Sequence, residues 1–339
     1  MLQFNSLKLL SMSILLSGSI SIMNAVSAQS IIKIDGSSTV YPITKAAADK
    51  FQIAKKNAIN ITVDISGSGG GFKKFCRGEI DIVNASRPIL KNEIKDCKNS
   101  RVQFVEIPVA FDALTVAVHP ENTWSTTMTV AELKKMWEPA AQGKITKWNQ
   151  INPAWPDESF KLYGADTDSG TFDYFTEAIV GKIKSSRNDF TESENDNVLV
   201  EGVANNKNGL GFFGFAYYIE HQTKVTAVAI NNGKGGVLPS VETVENGNYQ
   251  PLSRPIFIYV NAKATERPEI KEFVEFYMKN AILLVKEAGF FPLPPRAYTT
   301  MMEHFNKKRV GTVFNGVSAV GLTIDELVRR EGRLEYDNY

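Results

Sequence analysis

Three short segments of this chain are rich in serine, threonine and glycine, which can surround a small anion with neutral donors. They are the first loop (residues 35–42), the second loop (residues 66–73) and the third loop (residues 166–172). Each lies between a predicted strand and a predicted helix, where free backbone N–H groups and the positive helix end favour an anion. A simple helix cap explains any one of them, but all three together predict a shared oxyanion site. Its candidate binding residues are Ser37, Ser38 and Thr39 in the first loop and Ser169, Gly170 and Thr171 in the third.

The second loop contains an unusual run of glycines at positions 69–71. Glycine lets a backbone approach a ligand closely, at an entropic cost that a simple connection does not require. The segment lacks the Gly-Lys-Ser/Thr ending of a nucleotide-binding P-loop. We therefore favour an anion-binding turn over a nucleotide site, with a flexible turn as the alternative.

The elements around these loops predict an α/β fold. Short β-branched runs indicate strands at 31–34, 59–65 and 80–83, with helices at about 42–51 and 72–77 between them. Strands that alternate with helices are typical of a parallel sheet covered by helices.

The chain then crosses into a second lobe and returns. The apolar strand 114–118 leads into a helix at 130–137, a strand at 160–163 and a helix at 172–180, whereas 183–197 looks like a solvated excursion. The strand 256–260 returns, and a helix at 269–287 packs back on the first lobe. We therefore assign residues 29–112 and 258–339 to lobe 1 and residues 113–257 to lobe 2, joined by a hinge of two crossings.

The amino terminus has the features of an export signal. Residues 9–28 carry no charge, and Val26-Ser27-Ala28 provides the small residues that a signal peptidase accepts. Serines dilute the apolar stretch, so we favour a cleavable signal peptide at 1–28 over a membrane anchor, with Gln29 as the new terminus. Export predicts a periplasmic location.

The charge balance and the cysteine and histidine content exclude further classes of function. Removal of residues 1–28 leaves 37 basic and 37 acidic residues, a balance that disfavours nucleic-acid or membrane-surface binding. Cys76 and Cys97 are predicted to form a disulfide, worth about 3 kcal/mol in the chain-entropy model. The three histidines are scattered, so we predict neither a metal site nor a cofactor.

Four motifs occur in an order that resembles the phosphate-binding proteins of the phosphate-specific ABC transporter. They are Gly36-Ser37-Ser38-Thr39-Val40-Tyr41-Pro42, the second loop, Asn84-Ala85-Ser86-Arg87-Pro88 and Asp168-Ser169-Gly170-Thr171. The resemblance implies a two-lobed periplasmic binding protein fold with inorganic phosphate in the cleft. It also implies a monomer that delivers phosphate to an inner-membrane ABC permease complex.

The resemblance carries over Ser38, Thr39, Ser68 and Ser169-Gly170-Thr171 as ligand contacts, with two departures. Arg87 stands where better-known members have the Asp that accepts the ligand's proton, and Ala165 stands where they have an Arg. We interpret Arg87 as a charge-assisted phosphate contact, with a structural salt bridge as the alternative. The proton acceptor is then Asp168 or Asp166, with Asp168 preferred, and it would reject the unprotonated sulfate ion.

Three other functions stay open from the sequence. The same architecture suits another tetrahedral oxyanion, such as sulfate, molybdate or arsenate. A surface adhesin is a second alternative. A secreted hydrolase is disfavoured because the third loop lacks the Gly-x-Ser-x-Gly nucleophile elbow. We therefore expect a non-enzymatic protein.

Overall fold

The computed structural model describes residues 30–332, so the predicted signal peptide lies outside the described residues. The strands are β1 (Ser30–Gly36), β2 (Ile59–Val63), β3 (Ile82–Ala85), β4 (Phe104–Val118), β5 (Thr127–Thr129), β6 (Lys161–Gly164), β7 (Thr191–Glu192), β8 (Gly209–Gly214), β9 (Thr226–Ala227), β10 (Ala229–Asn231), β11 (Gly236–Val237) and β12 (Ser253–Asn261). The helices are α1 (Tyr41–Ala54), α2 (Gly67–Cys76), α3 (Lys91–Asn99), α4 (Val130–Trp137), α5 (Trp148–Ile151), α6 (Gly170–Phe175), α7 (Asp196–Ala204), α8 (Phe215–Glu220), α9 (Val241–Glu245), α10 (Pro268–Glu287), α11 (Pro295–Asn306) and α12 (Ile324–Gly332).

A mixed sheet runs through the protein in the order β2-β1-β3-β12-β4-β8-β6-β7, and β9 also pairs with β4. The long strand β4 is antiparallel to β12 from Phe104 to Ala113. From Leu114 to Val118 it pairs with β8 instead. The strands on either side of this change form the sheets of two α/β lobes, which confirms the predicted fold class.

Apolar periodicity explains the main helices. In α1, Ile43, Ala47 and Phe51 recur every four residues and are buried, and Pro42 occupies the first turn, where its missing N–H costs no hydrogen bond. In α10 the buried residues likewise follow a helical spacing and pack against α1. The disulfide Cys76–Cys97 joins α2 to α3, as predicted.

Strand β4 is buried along its whole length. Such strands read as nearly continuous apolar runs, yet β4 contains Glu106 and Asp112. A charge in this position needs a partner because its desolvation is costly. Asp112 finds it in Arg254, its register neighbour on β12.

Two predicted elements were wrong in detail. The helix expected at 72–77 begins at Gly67, so the glycine run lies inside α2. The reason is close packing: a Cβ at Gly71 would lie 2.7 Å from the Gly36 Cα and from Val83 Cγ2. The excursion expected at 183–197 contains β7 and the start of α7, where Asp196 is buried.

Candidate functional site

The three candidate loops meet at one place between the two lobes. The hydroxyls of Thr39 in the first loop and Thr171 in the third are 3.2 Å apart. The Gly69 N–H in the second loop donates to the Asp168 carbonyl in the third at 3.1 Å. All the predicted serine, threonine and glycine contacts are buried, namely Ser37, Ser38, Thr39, Ser68, Ser169, Gly170 and Thr171.

The second and third loops touch through Ser68. Its Oγ accepts a hydrogen bond from the Ser86 N–H at 3.0 Å and lies 3.2 Å from the Ser86 hydroxyl. Both hydroxyls face Gly170, where an added Cβ would overlap them. Glycine is therefore required at position 170 for the lobes to approach this closely.

Helix ends supply backbone donors here. Residues 67–73 of the second loop form the start of α2, a ten-residue helix whose first amides have no partner within the helix. One of them, the Gly69 N–H, is the donor to the Asp168 carbonyl. In the third loop Ser169 caps α6, because its Oγ accepts from the Thr171 N–H at 3.2 Å. Amides, hydroxyls and a positive helix end favour a small anion over a cation.

Arg87 lies next to these loops but is already paired with carboxylates. Its guanidinium donates two 2.8 Å hydrogen bonds to Glu93, and its Nε donates to Asp173 at 2.7 Å. Burial lowers the pKa of Arg87, but the charges of Glu93 and Asp173 outweigh that effect and raise it. These contacts match the alternative interpretation, a structural salt bridge. A phosphate contact by Arg87 stays a prediction.

Neither of the two predicted proton acceptors, Asp168 and Asp166, is fully buried. The Asp168 side chain is about half exposed, at 49%, and lies 3.1 Å from Lys73 and 3.6 Å from Lys184. Partial burial raises the pKa of Asp168, but the two lysines more than offset this and lower it. Asp166 Oδ1 accepts the Asp168 N–H at 2.9 Å. Both acceptor roles stay predictions.

Sequence reasoning missed Arg254, the buried cation that contacts the first and third loops. Its Nη2 donates to Thr171 Oγ1 at 2.9 Å and to Thr39 Oγ1 at 3.3 Å. Its Nη1 donates to the Gly170 carbonyl at 3.1 Å, and Asp112 pairs with it at 2.9 Å. A signal was present, since Asp112 and Arg254 are opposite charges within two largely apolar runs, which suggests a pair. The predicted strand at 256–260 began two residues too late to include Arg254.

Comparison with known proteins identifies the family. Residues 24–281 match the sequence profile of a PBP superfamily domain. The chain belongs to the PBP superfamily. Its PBP-superfamily relatives include SphX of Synechocystis, which is 52% identical over 305 residues and covered to 90% in both chains. The phosphate-binding protein PstS of Staphylococcus saprophyticus is 35% identical over 272 residues, covering 79% of this chain and 82% of PstS. These matches confirm the family inferred from the four motifs.

Solved PBP-superfamily structures agree with this fold. A protein from Planctomyces limnophilus, described as a possible phosphate binding protein, is 45% identical with a TM-score of 0.64, covering 84% of this chain and 100% of its own. An ABC-type phosphate transport receptor from Vibrio cholerae has a TM-score of 0.61 at 23% identity, covering 78% and 100%. The latter likeness shows the fold alone.

Proposed function

We propose that this protein binds inorganic phosphate between its lobes and delivers it to an ABC transporter permease for import. The observation that carries the proposal is the convergence of three hydroxyl- and amide-rich loops, two of which are contacted by the buried Arg254. The PstS relative, a phosphate-binding protein, supports phosphate as the ligand. A tetrahedral oxyanion suits this arrangement because donors reach it from both lobes.

In this proposal the ligand contacts are Ser38, Thr39, Ser68, Ser169-Gly170-Thr171 and Arg254. Lobe 1 comprises 29–112 and 258–339, and lobe 2 comprises 113–257. The change of β4 partner at Leu114 supports the first boundary. Thr39 belongs to lobe 1 and Thr171 to lobe 2, and their hydroxyls are 3.2 Å apart, so hinge motion would open and close the site around the ligand.

Binding without catalysis is part of the proposal. The Ser169 hydroxyl accepts a bond from the Thr171 N–H, and no histidine of residues 30–332 hydrogen-bonds to it. No group of three or more His, Cys, Asp or Glu in that range is arranged to hold a metal ion.

Export as a monomer to the periplasm fits the family. None of the helices within residues 30–332 has the length and apolar character needed to cross a membrane.

Calorimetric titration of the exported chain with phosphate, arsenate and sulfate tests this proposal. We expect one phosphate per chain, with arsenate as a competitor and no heat from sulfate. Sulfate or molybdate binding in place of phosphate would reassign the ligand. Release of orthophosphate from a chromogenic ester would indicate a hydrolase, and phosphate-independent binding to a host matrix would indicate an adhesin.

A further inference from the structure

Two buried carboxyl groups, one of them bonded to Arg254, lie beside Gly214. Asp112 is fully buried, and Asp196, the first residue of α7, is 3% exposed. Asp112 Oδ2 is bonded to Arg254, but Asp112 Oδ1 and Asp196 Oδ2 have no hydrogen-bond partner among the described residues. Both unpaired oxygens face Gly214, within 3.9 Å of the position a Cβ would take there.

This arrangement combines one guanidinium with two carboxyl groups away from water. If both carboxyls were ionised, the buried group would carry a net negative charge. Burial, followed by the charge of Asp112, raises the pKa of Asp196 to about 7, although Arg254 opposes the shift. Burial also raises the pKa of Asp112. One proton shared by this pair near neutral pH is therefore expected.

The other titratable groups around Asp196 do not supply a second cation. Tyr217 on α8 has its pKa raised by burial and by the charge of Asp196. Glu194, two residues before Asp196, has a pKa raised to about 8 by burial and by Asp166. Arg254 is thus the cation of this buried group, and the same side chain bonds the Thr39 and Thr171 hydroxyls.

We propose that Asp196 is a positioning residue that sets phosphate affinity through Arg254, by taking up a proton from solvent when the anion binds. This inference rests on the proposed function. A bound anion beside Arg254 disfavours the ionised form of Asp196, because like charges repel across a weakly screened interior. Protonation of Asp196 leaves the positive charge of Arg254 to Asp112 and the ligand.

The sign of the pH effect follows directly. Bound phosphate raises the pKa of Asp196 above its free value of about 7. Above that pH the free protein has lost a proton that the complex must recover, so phosphate affinity falls as pH rises through this window. The protonation of phosphate itself changes over the same range, but it is common to wild type and variant.

Asp196→Asn removes the titration while keeping the shape of the side chain. We expect equal phosphate affinity in variant and wild type at pH 6, within about twofold, and about tenfold tighter binding by the variant at pH 8.5. Glu192→Gln, at an exposed position in β7, is the matched control and should follow the wild type. Asp196→Ser, which also suits the first turn of a helix, repeats the test if the asparagine variant does not fold.

Calorimetry at pH 8 in two buffers of different ionisation enthalpy gives the second readout. Wild type should take up more protons per phosphate than either Asp196 variant. Equal proton uptake, or weaker binding by the variants at every pH, would overturn the role of Asp196. A wild type that does not bind phosphate would instead overturn the proposed function, so the two failures are distinguishable.

Discussion

The protein contains two buried arginines beside the candidate site, and their surroundings differ in charge. Arg87 is held by two carboxylates, Glu93 and Asp173, so its immediate environment is net negative. Arg254 is bonded to one carboxylate, Asp112, and otherwise to neutral oxygens of the first and third loops. An anion is repelled by the first group and accepted by the second when Asp196 is protonated.

A buried arginine is not an anion site by itself. What matters is whether its charge is already neutralised and what else contacts it. Asp173 follows the third loop in sequence, whereas Arg87 and Glu93 follow β3, so the Arg87 group is an ion pair between the proposed lobes. Arg254 instead lies on β12, one of the two long strands that join them. We therefore assign lobe closure to Arg87 and ligand charge to Arg254.

Arg254→Gln should have the largest effect on binding. Loss of one partner of a buried, hydrogen-bonded charge pair costs about 2–5 kcal/mol, so phosphate affinity should fall about 30-fold or more. Calorimetric titration measures this change. Because Asp112 would be left without its partner, the double variant Arg254→Gln, Asp112→Asn provides a folded control.

If Arg254→Gln and the double variant both bound phosphate within about threefold of wild type, Arg254 would not be the arginine that binds the ligand. Arg254→Lys sharpens the test, because lysine keeps the charge but not the planar fork. We expect its affinity to lie between those of wild type and Arg254→Gln.

Arg87→Met should change stability more than binding. It leaves Glu93 and Asp173 without their cation, so the free energy of unfolding should fall by about 3–5 kcal/mol in denaturant titrations. Phosphate affinity should fall less than about tenfold, since the effect reaches the ligand only through closure. The exposed Arg77, paired with Glu79, gives the control Arg77→Met, which should change neither quantity. A greater loss of affinity in Arg87→Met than in Arg254→Gln would restore Arg87 as the ligand contact.

Asp168→Asn should have the smallest effect. The carboxylate is half exposed and pairs with Lys73 and Lys184, and exposed pairs contribute little. We expect phosphate affinity within about threefold of wild type and continued rejection of sulfate by competition titration. Sulfate binding by this variant would establish Asp168 as the acceptor of the ligand's proton.

Local patterns were sufficient to predict much of the fold. The helix at 130–137 and the helix at 269–287 have clear apolar spacing, and both appear within a residue of the predicted bounds. The second loop was less accurate because glycine is a poor helix former, and only tertiary packing against β1 and β3 explains why a glycine is needed at position 71 inside α2.

The meeting of the three loops that the motifs selected was also predictable from sequence, whereas their role as ligand contacts stays a prediction. The charged part of the site was not predictable. Arg254 contacts Thr39 across 215 positions and Asp112 across 142, separations at which a single sequence carries no pairing information. Asp196 was placed in a solvated stretch because its neighbours are polar, and only the fold buries it.

A crystal structure of the complex with phosphate tests the central claim most directly. We expect a phosphate between the lobes, with an oxygen within hydrogen-bond distance of Arg254 Nη2 and others bonded to the hydroxyls of Thr39 and Thr171. A phosphate held by Arg87 instead of Arg254, or one bound outside the meeting point of the three loops, would contradict it.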